Sequence, residues 1–281
     1  MIAAGLVAFA FTWMYADVVR GLAVQWASSP DASYGFVLAA VALGVAWQRR
    51  RAFIAAINPA SPPLAPLLVL SAGILLNVVG QLGADIFLTR VSAVVVVAGA
   101  VWFLAGRAAF RVVAAPLVFL LIAIPLPELV VNTITLPLQL VASRIAETTL
   151  MAASVPVFRD GNVLMLPSTT LEVAQACSGL RSLISLAAVA ALLGWITEPT
   201  WPRRAALIAS AVPIAIAMNG LRVAATGLAC EAWGRRAASG SWHEATGWIT
   251  FVASLALIAG VQRMMGAFRF KADAPAMAPS V

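Results

Sequence analysis

The chain has 281 residues, of which 62% are hydrophobic and 10% charged, and its formal net charge is +7. A soluble domain carries about 25% charged and about 45–50% apolar residues, and a chain of this size must still show water much of its surface. A soluble fold is therefore excluded, and disorder is excluded because it needs low hydrophobicity with high charge. What remains is an all-α polytopic integral membrane protein.

A helix needs about 20 apolar residues to cross a hydrocarbon core about 30 Å thick. Runs of this kind lie near residues 2–19, 34–48, 63–80, 88–106, 112–126, 178–196, 205–221 and 245–264, which predicts about eight transmembrane helices. The first run lacks a small-residue cleavage site before its charged end and reads as an anchor. Basic residues fall in short clusters between the runs, at Arg49 to Arg51, Arg107 with Arg111, Arg203 with Arg204, and Arg263 with Arg269 and Lys271. Nucleic-acid binding would need such residues gathered on one water-facing surface. Their spacing instead matches cytoplasmic anchoring of membrane helices. Alternation puts all four clusters on one side, which predicts cytoplasmic termini, with residues 271–281 as a disordered cytoplasmic tail. Residues 1–270 then form a single integral membrane domain.

The same alternation places 127–177 outside, as the largest extracytoplasmic segment. Pro125 and Pro127 end the fifth run. From Glu128 to Ala153 the apolar positions recur at helical spacing, interrupted by Asn132, Gln139, Ser143, Arg144 and Glu147. This pattern predicts an amphipathic helix lying along the interface or packed over the bundle. The Asp160-Gly161 pair predicts a tight β-hairpin within 155–167. A short strand at 170–174 then leads to Gln175-Ala-Cys-Ser178. One histidine and two cysteines cannot build an ordinary His/Cys zinc site, and no Gly-rich phosphate loop is present, so neither metal nor cofactor is expected.

In so apolar a chain the informative groups are ionisable residues beside or inside spans. The topology puts three of them at one membrane surface: Cys177 at the start of the sixth span, Arg222 at the end of the seventh, and His243 at the start of the eighth. A nearby imidazole or positive charge raises the thiolate fraction of a cysteine. His243 can take the thiol proton and return one to a departing amine. Arg222 stays charged and can stabilise an oxyanion or hold a carboxylate. Taken singly, each has a plainer role, as a small buried hydrophobe, a surface cap and a snorkelling anchor. Together they imply acyl transfer through a thioester. Cys230 lacks activating neighbours and reads as structural, although a Cys177–Cys230 disulfide would contradict a nucleophilic Cys177.

At these residues the sequence resembles the exosortase/archaeosortase family of membrane-embedded cysteine transpeptidases. The match runs through Leu171-Glu-Val-Ala-Gln-Ala-Cys-Ser-Gly-Leu-Arg-Ser-Leu183, Asn219-Gly-Leu-Arg222 and His243 with Gly247. Supporting similarity lies in Leu136-Pro-Leu-Gln-Leu140, Val155-Pro-Val157, Gly161-Asn162 and Trp47-Gln-Arg-Arg-Arg51, and the whole covers roughly 30–265. The chain departs at Ser33-Tyr34-Gly35, where many members carry a histidine before the glycine.

The resemblance implies a bacterial inner-membrane enzyme of the PEP-CTERM sorting system, with its site at the periplasmic face. Its partners would be exported proteins that end in a Pro-Glu-Pro-like motif, a transmembrane helix and a basic tail. Cys177 would be the nucleophile, Arg222 the oxyanion stabiliser and His243 the acid and base. Asn219, Arg181 and Glu172 are further candidates for contact with substrate. Arg181 would either bind the substrate glutamate or pair with Glu172, because an unpaired arginine one turn beyond Cys177 is costly to bury. The alternative is a non-enzymatic component of exopolysaccharide export or assembly. A transporter is disfavoured by the lack of acidic or histidine relays within the spans and of paired broken helices.

Overall fold

A computed structural model describes residues 2–29, 32–58, 64–173, 180–234 and 241–272. The chain forms two compact units, Met1–Glu128 and Leu129–Val281.

The first unit holds α1 (Ile2–Ser28), α2 (Tyr34–Gln48), α3 (Arg50–Ala55), α4 (Leu64–Leu82) and α5 (Ile86–Ile122). The turn into α5 is fixed by Asp85, whose carboxylate accepts from the Leu88 backbone N–H at 2.9 Å, a side-chain cap on an otherwise unsatisfied donor. Helices α4 and α5 approach closely at glycines. A Cβ on Gly73 would stand 2.7 Å from Val96, and one on Gly99 would stand 2.7 Å from the Leu70 backbone. Small residues at such contacts let helices pack by dispersion where lipid removes the hydrophobic drive.

Two of the expected spans, 88–106 and 112–126, are the two arms of α5. The chain breaks at Gly106 (φ 87°, ψ 169°), a conformation open essentially to glycine alone. The break also admits Asn58, whose backbone N–H donates to the Ala105 carbonyl at 2.9 Å. The Arg49 to Arg51 cluster coils into α3, where Arg50 donates to the Trp47 carbonyl and stacks over its ring at 4.3 Å.

The second unit begins with α6 (Glu128–Ala152) and continues through β1 (Phe158–Asp160), β2 (Val163–Met165) and β3 (Thr170–Glu172) to α7 (Leu180–Thr197), α8 (Trp201–Trp233) and α9 (Ser241–Ala272). The expected hairpin is present, as the first part of a three-stranded antiparallel meander in the order β1-β2-β3. Asp160 pairs with Val163, and Gly161 between them supplies the positive φ (61°) of a two-residue turn. The inner face of the meander places Leu164, Leu166 and Val173 in one core with Ala142, Ala146 and Leu150 of α6 and Val223 and Ala224 of α8.

Two glycines on α8 set its distance from α6. A Cβ on Gly220 would lie 2.6 Å from the Ile145 Cβ, and one on Gly227 would lie 3.2 Å from Leu150. Below them, α7, α8 and α9 bury Leu186, Ala190, Leu207, Ala211, Ala215 and Ile258 together. Among the described residues six helices are long and apolar enough to cross a membrane, namely α1, α4, α5, α6, α8 and α9, with α2 and α7 as shorter apolar helices. This is an all-α polytopic membrane fold with a small β element. Helix α6 also meets the length and composition for crossing, while burying Gln139 and Ser143 within its own unit.

Candidate active site

Helices α7, α8 and α9 pack against one another, and they alternate in direction, because Gly194 near the end of α7 meets Arg204 near the start of α8 while Arg222 in the second half of α8 meets Gly247 near the start of α9. The start of α7, the last turns of α8 and the start of α9 therefore share one end of the unit. Cys177 lies outside the described residues, as do the side chains of Arg181 and His243. Arg181 is the second residue of α7 and His243 the third of α9. Arg222 and Asn219 are fully described, on α8.

The chain enters this end along β3. Its exit is held at Val173, which donates its backbone N–H to the Asn162 carbonyl at 2.9 Å. The Asn162 amide in turn donates to the Val173 carbonyl at 3.2 Å. Val173 is buried beside Val223 and Ala224, the residues that follow Arg222. Only residues 174–179 separate this anchored strand end from α7. The β2–β3 loop is latched to α8, where the Glu231 carboxylate accepts from the Ser168 backbone N–H at 3.0 Å and from its hydroxyl at 2.5 Å.

Arg222 reaches from α8 to α9. A Cβ at Gly247 would stand 3.1 Å from its Nη2 and 3.3 Å from its Cζ, so the guanidinium rests on the bare backbone of Gly247. Residues four apart share one face of a helix, and His243 lies four residues before Gly247. About 6 Å of axial rise, at about 1.5 Å per residue, therefore separates the guanidinium's seat from the histidine position. Asn219 is 5% exposed and stands one turn before Arg222 on α8. Glu172 is exposed on β3, opposite Val163 in the ladder.

Cys230 keeps a free, fully buried thiol packed beside Ala229 and Leu171.

Three features of this site escape a reading of the sequence. Asn162 stood out only as a neighbour of Gly161, yet its amide and carbonyl clamp the strand that leads to the cysteine segment. Glu231 and Ser168 lie 63 positions apart and carry no local signal. The glycine of Asn219-Gly-Leu-Arg222 admits α6, a role visible only once both helices are placed.

Fold and site together describe a multi-pass membrane protein with a guanidinium that reaches from α8 onto the early turns of α9. The family model for the transmembrane exosortase (Exosortase_EpsH) matches residues 26–260, and the chain belongs to that family. No curated protein and no solved structure matches it.

Proposed function

We propose that the protein is a membrane-embedded cysteine peptidase and transpeptidase that cleaves C-terminal sorting signals from exported proteins. The observation that carries the reading furthest is Arg222, seated on Gly247 one helical turn from His243. In this mechanism the Cys177 thiol gives its proton to His243, and the thiolate attacks the scissile carbonyl. Arg222 stabilises the negative charge on that oxygen. Collapse breaks the C–N bond, His243 returns the proton to the departing amine, and a thioester on Cys177 remains. An acceptor amine or water, deprotonated by His243, then attacks the thioester and releases the thiol.

The substrate class follows from the family resemblance: a Pro-Glu-Pro-like motif, one transmembrane helix and a basic tail. Confinement of that helix in the bilayer aligns motif and thiol. Asn219 and Arg181 stand at the same end of the unit as the catalytic positions, with Arg181 facing a choice between the motif glutamate and Glu172. The basic clusters support cytoplasmic termini and a site on the periplasmic side of the inner membrane.

Coexpression with a tailed substrate tests the reading. Cys177→Ala is expected to leave the substrate full-length while the variant accumulates in the membrane. Normal shortening by a stably made variant overturns the nucleophile assignment. Arg181→Gln is expected to slow cleavage of glutamate-containing signals selectively, and equal slowing of a signal without the acid removes Arg181 from recognition.

A further inference from the structure

The chemistry above makes no use of the arginine buried in the first unit. Arg90, in the second turn of α5, is 9% exposed. Its Nη1 donates to the Gln25 side-chain oxygen on α1, and its Nε has no hydrogen-bond partner. It joins no ion pair among the described residues. A guanidinium withdrawn from water with one neutral partner is costly, and more so beside hydrocarbon. Such a group calls for a counter-ion, and no described carboxylate lies within ion-pair distance of it.

Arg90 lines a cavity of about 520 Å³ between α1 and the α4–α5 turn, within the range of about 300–1,000 Å³ typical of small-ligand sites. The cavity is not uniformly basic, because Asp17 and Asp85 line it too. Asp17 is exposed. The Asp85 Oδ1 already caps Leu88. Ile86, which lines the cavity, is 65% exposed, and Val19 and Leu82, next in sequence to the lining residues Val18 and Gln81, are 55% and 84% exposed. These are surfaces for acyl chains and not for water.

We propose that this cavity binds the headgroup of a zwitterionic membrane phospholipid of the phosphoethanolamine type. The phosphate pairs with Arg90, the ammonium with Asp17 and Asp85, and the acyl chains run along Val19, Leu82 and Ile86. A lone carboxylate or phosphate answers Arg90 and leaves two acids facing an anion. A lone amine answers the acids and leaves Arg90 buried without a counter-charge. An anionic glycerol headgroup offers hydroxyls where the acids call for a cation. Only a ligand with both charges, one bond chain apart, meets the full lining. The assignment stands independently of the acyl-transfer reading.

The test uses the full chain, delipidated in detergent, with lipid binding followed by native mass spectrometry. Phosphatidylethanolamine, phosphatidylglycerol and soluble phosphoethanolamine serve as probes. Phosphatidylethanolamine is expected to bind about tenfold or more tighter than phosphatidylglycerol, the scale of one charge-assisted hydrogen-bonded contact. Arg90→Gln is expected to lose both lipids. Asp17→Asn, at an exposed position where folding is preserved, is expected to erase the preference while keeping phosphatidylglycerol binding. Equal binding of the two lipids by the native chain overturns the proposal, as does an unchanged preference in Asp17→Asn. Soluble phosphoethanolamine binding as tightly as the lipid overturns the membrane source. Should Arg90→Gln fail to fold, the Asp17→Asn comparison decides alone.

Discussion

An alanine at position 247 would bring its Cβ to 3.1 Å from Arg222 Nη2, closer than ordinary van der Waals contact. The guanidinium would then have to give by a few tenths of an ångström, and a larger side chain would displace it from the seat. Losing one oxyanion donor typically costs about 10²–10³ in rate, and a displacement of about 1 Å can cost about 10². Arg222→Ala is therefore expected to lower kcat by about 10²–10³, Gly247→Leu by about tenfold to a hundredfold and Gly247→Ala by less, each with little change in KM. All are measured on a tailed substrate in reconstituted membranes. Retained activity in Gly247→Leu, which fills the seat, would show that Arg222 does not act from there. Cys177, Arg222 and His243 were legible as candidates because charge is scarce in this chain and a lone thiol, imidazole or guanidinium at a span end stands out. Gly247 was legible only as a motif partner. Its use depends on a side chain 25 positions away on another helix, and no local pattern encodes that.

At the scale of elements, glycine seams do much of the positioning. Gly220 and Gly227 are seven apart, so they lie on one face of α8 and take Ile145 and Leu150 of α6. Gly220→Val is expected to destabilise the fold by about 1–3 kcal/mol through overpacking. Ile145→Ala in the same chain should restore part of the loss by making room. Thermal unfolding of the two single variants and the double variant in detergent checks this, and additive losses would mean that the seam is not the contact that matters.

Apolar run length foretold the helices, and Asp160-Gly161 foretold the hairpin. Run length could not show that residues 88–106 and 112–126 meet at Gly106, because the loop expected around Arg107 is instead a single backbone break sealed by Asn58. Nor could it fix the place of α6. That helix is apolar enough to cross a membrane yet carries Gln139 and Ser143 on a buried face, and composition alone weighs those two facts together.

For the whole molecule, the basic clusters remain the guide to orientation. A periplasm-active reporter inserted at Gly161, a turn where a Cβ meets nothing within 4 Å, is expected to be active. The same reporter after Lys271 is expected to be silent. The reverse pattern would invert the topology and move the thiol to the cytoplasmic side.

The cluster at Arg203 and Arg204, read from sequence as simple anchors, has a second role. Glu198, 3% exposed at the α7–α8 turn, stands 3.8 Å from Arg203 Nη1 and accepts from Gln262 of α9 at 3.4 Å. Arg204 donates to the Glu198 carbonyl at 2.8 Å and lies over the Trp195 ring. Parting the helices here would strand a buried carboxylate. At the opposite end, α8 is tied to the β2–β3 loop through Glu231 and Ser168 and rests Arg222 on Gly247 of α9. The second unit is thus tied at both ends of α8, by a buried carboxylate at one and by an exposed latch at the other. If the proposed substrate helix enters at the Arg222 end, the exposed Glu231–Ser168 latch is the tie to be released, while the Glu198 cluster keeps the far ends of the three helices together.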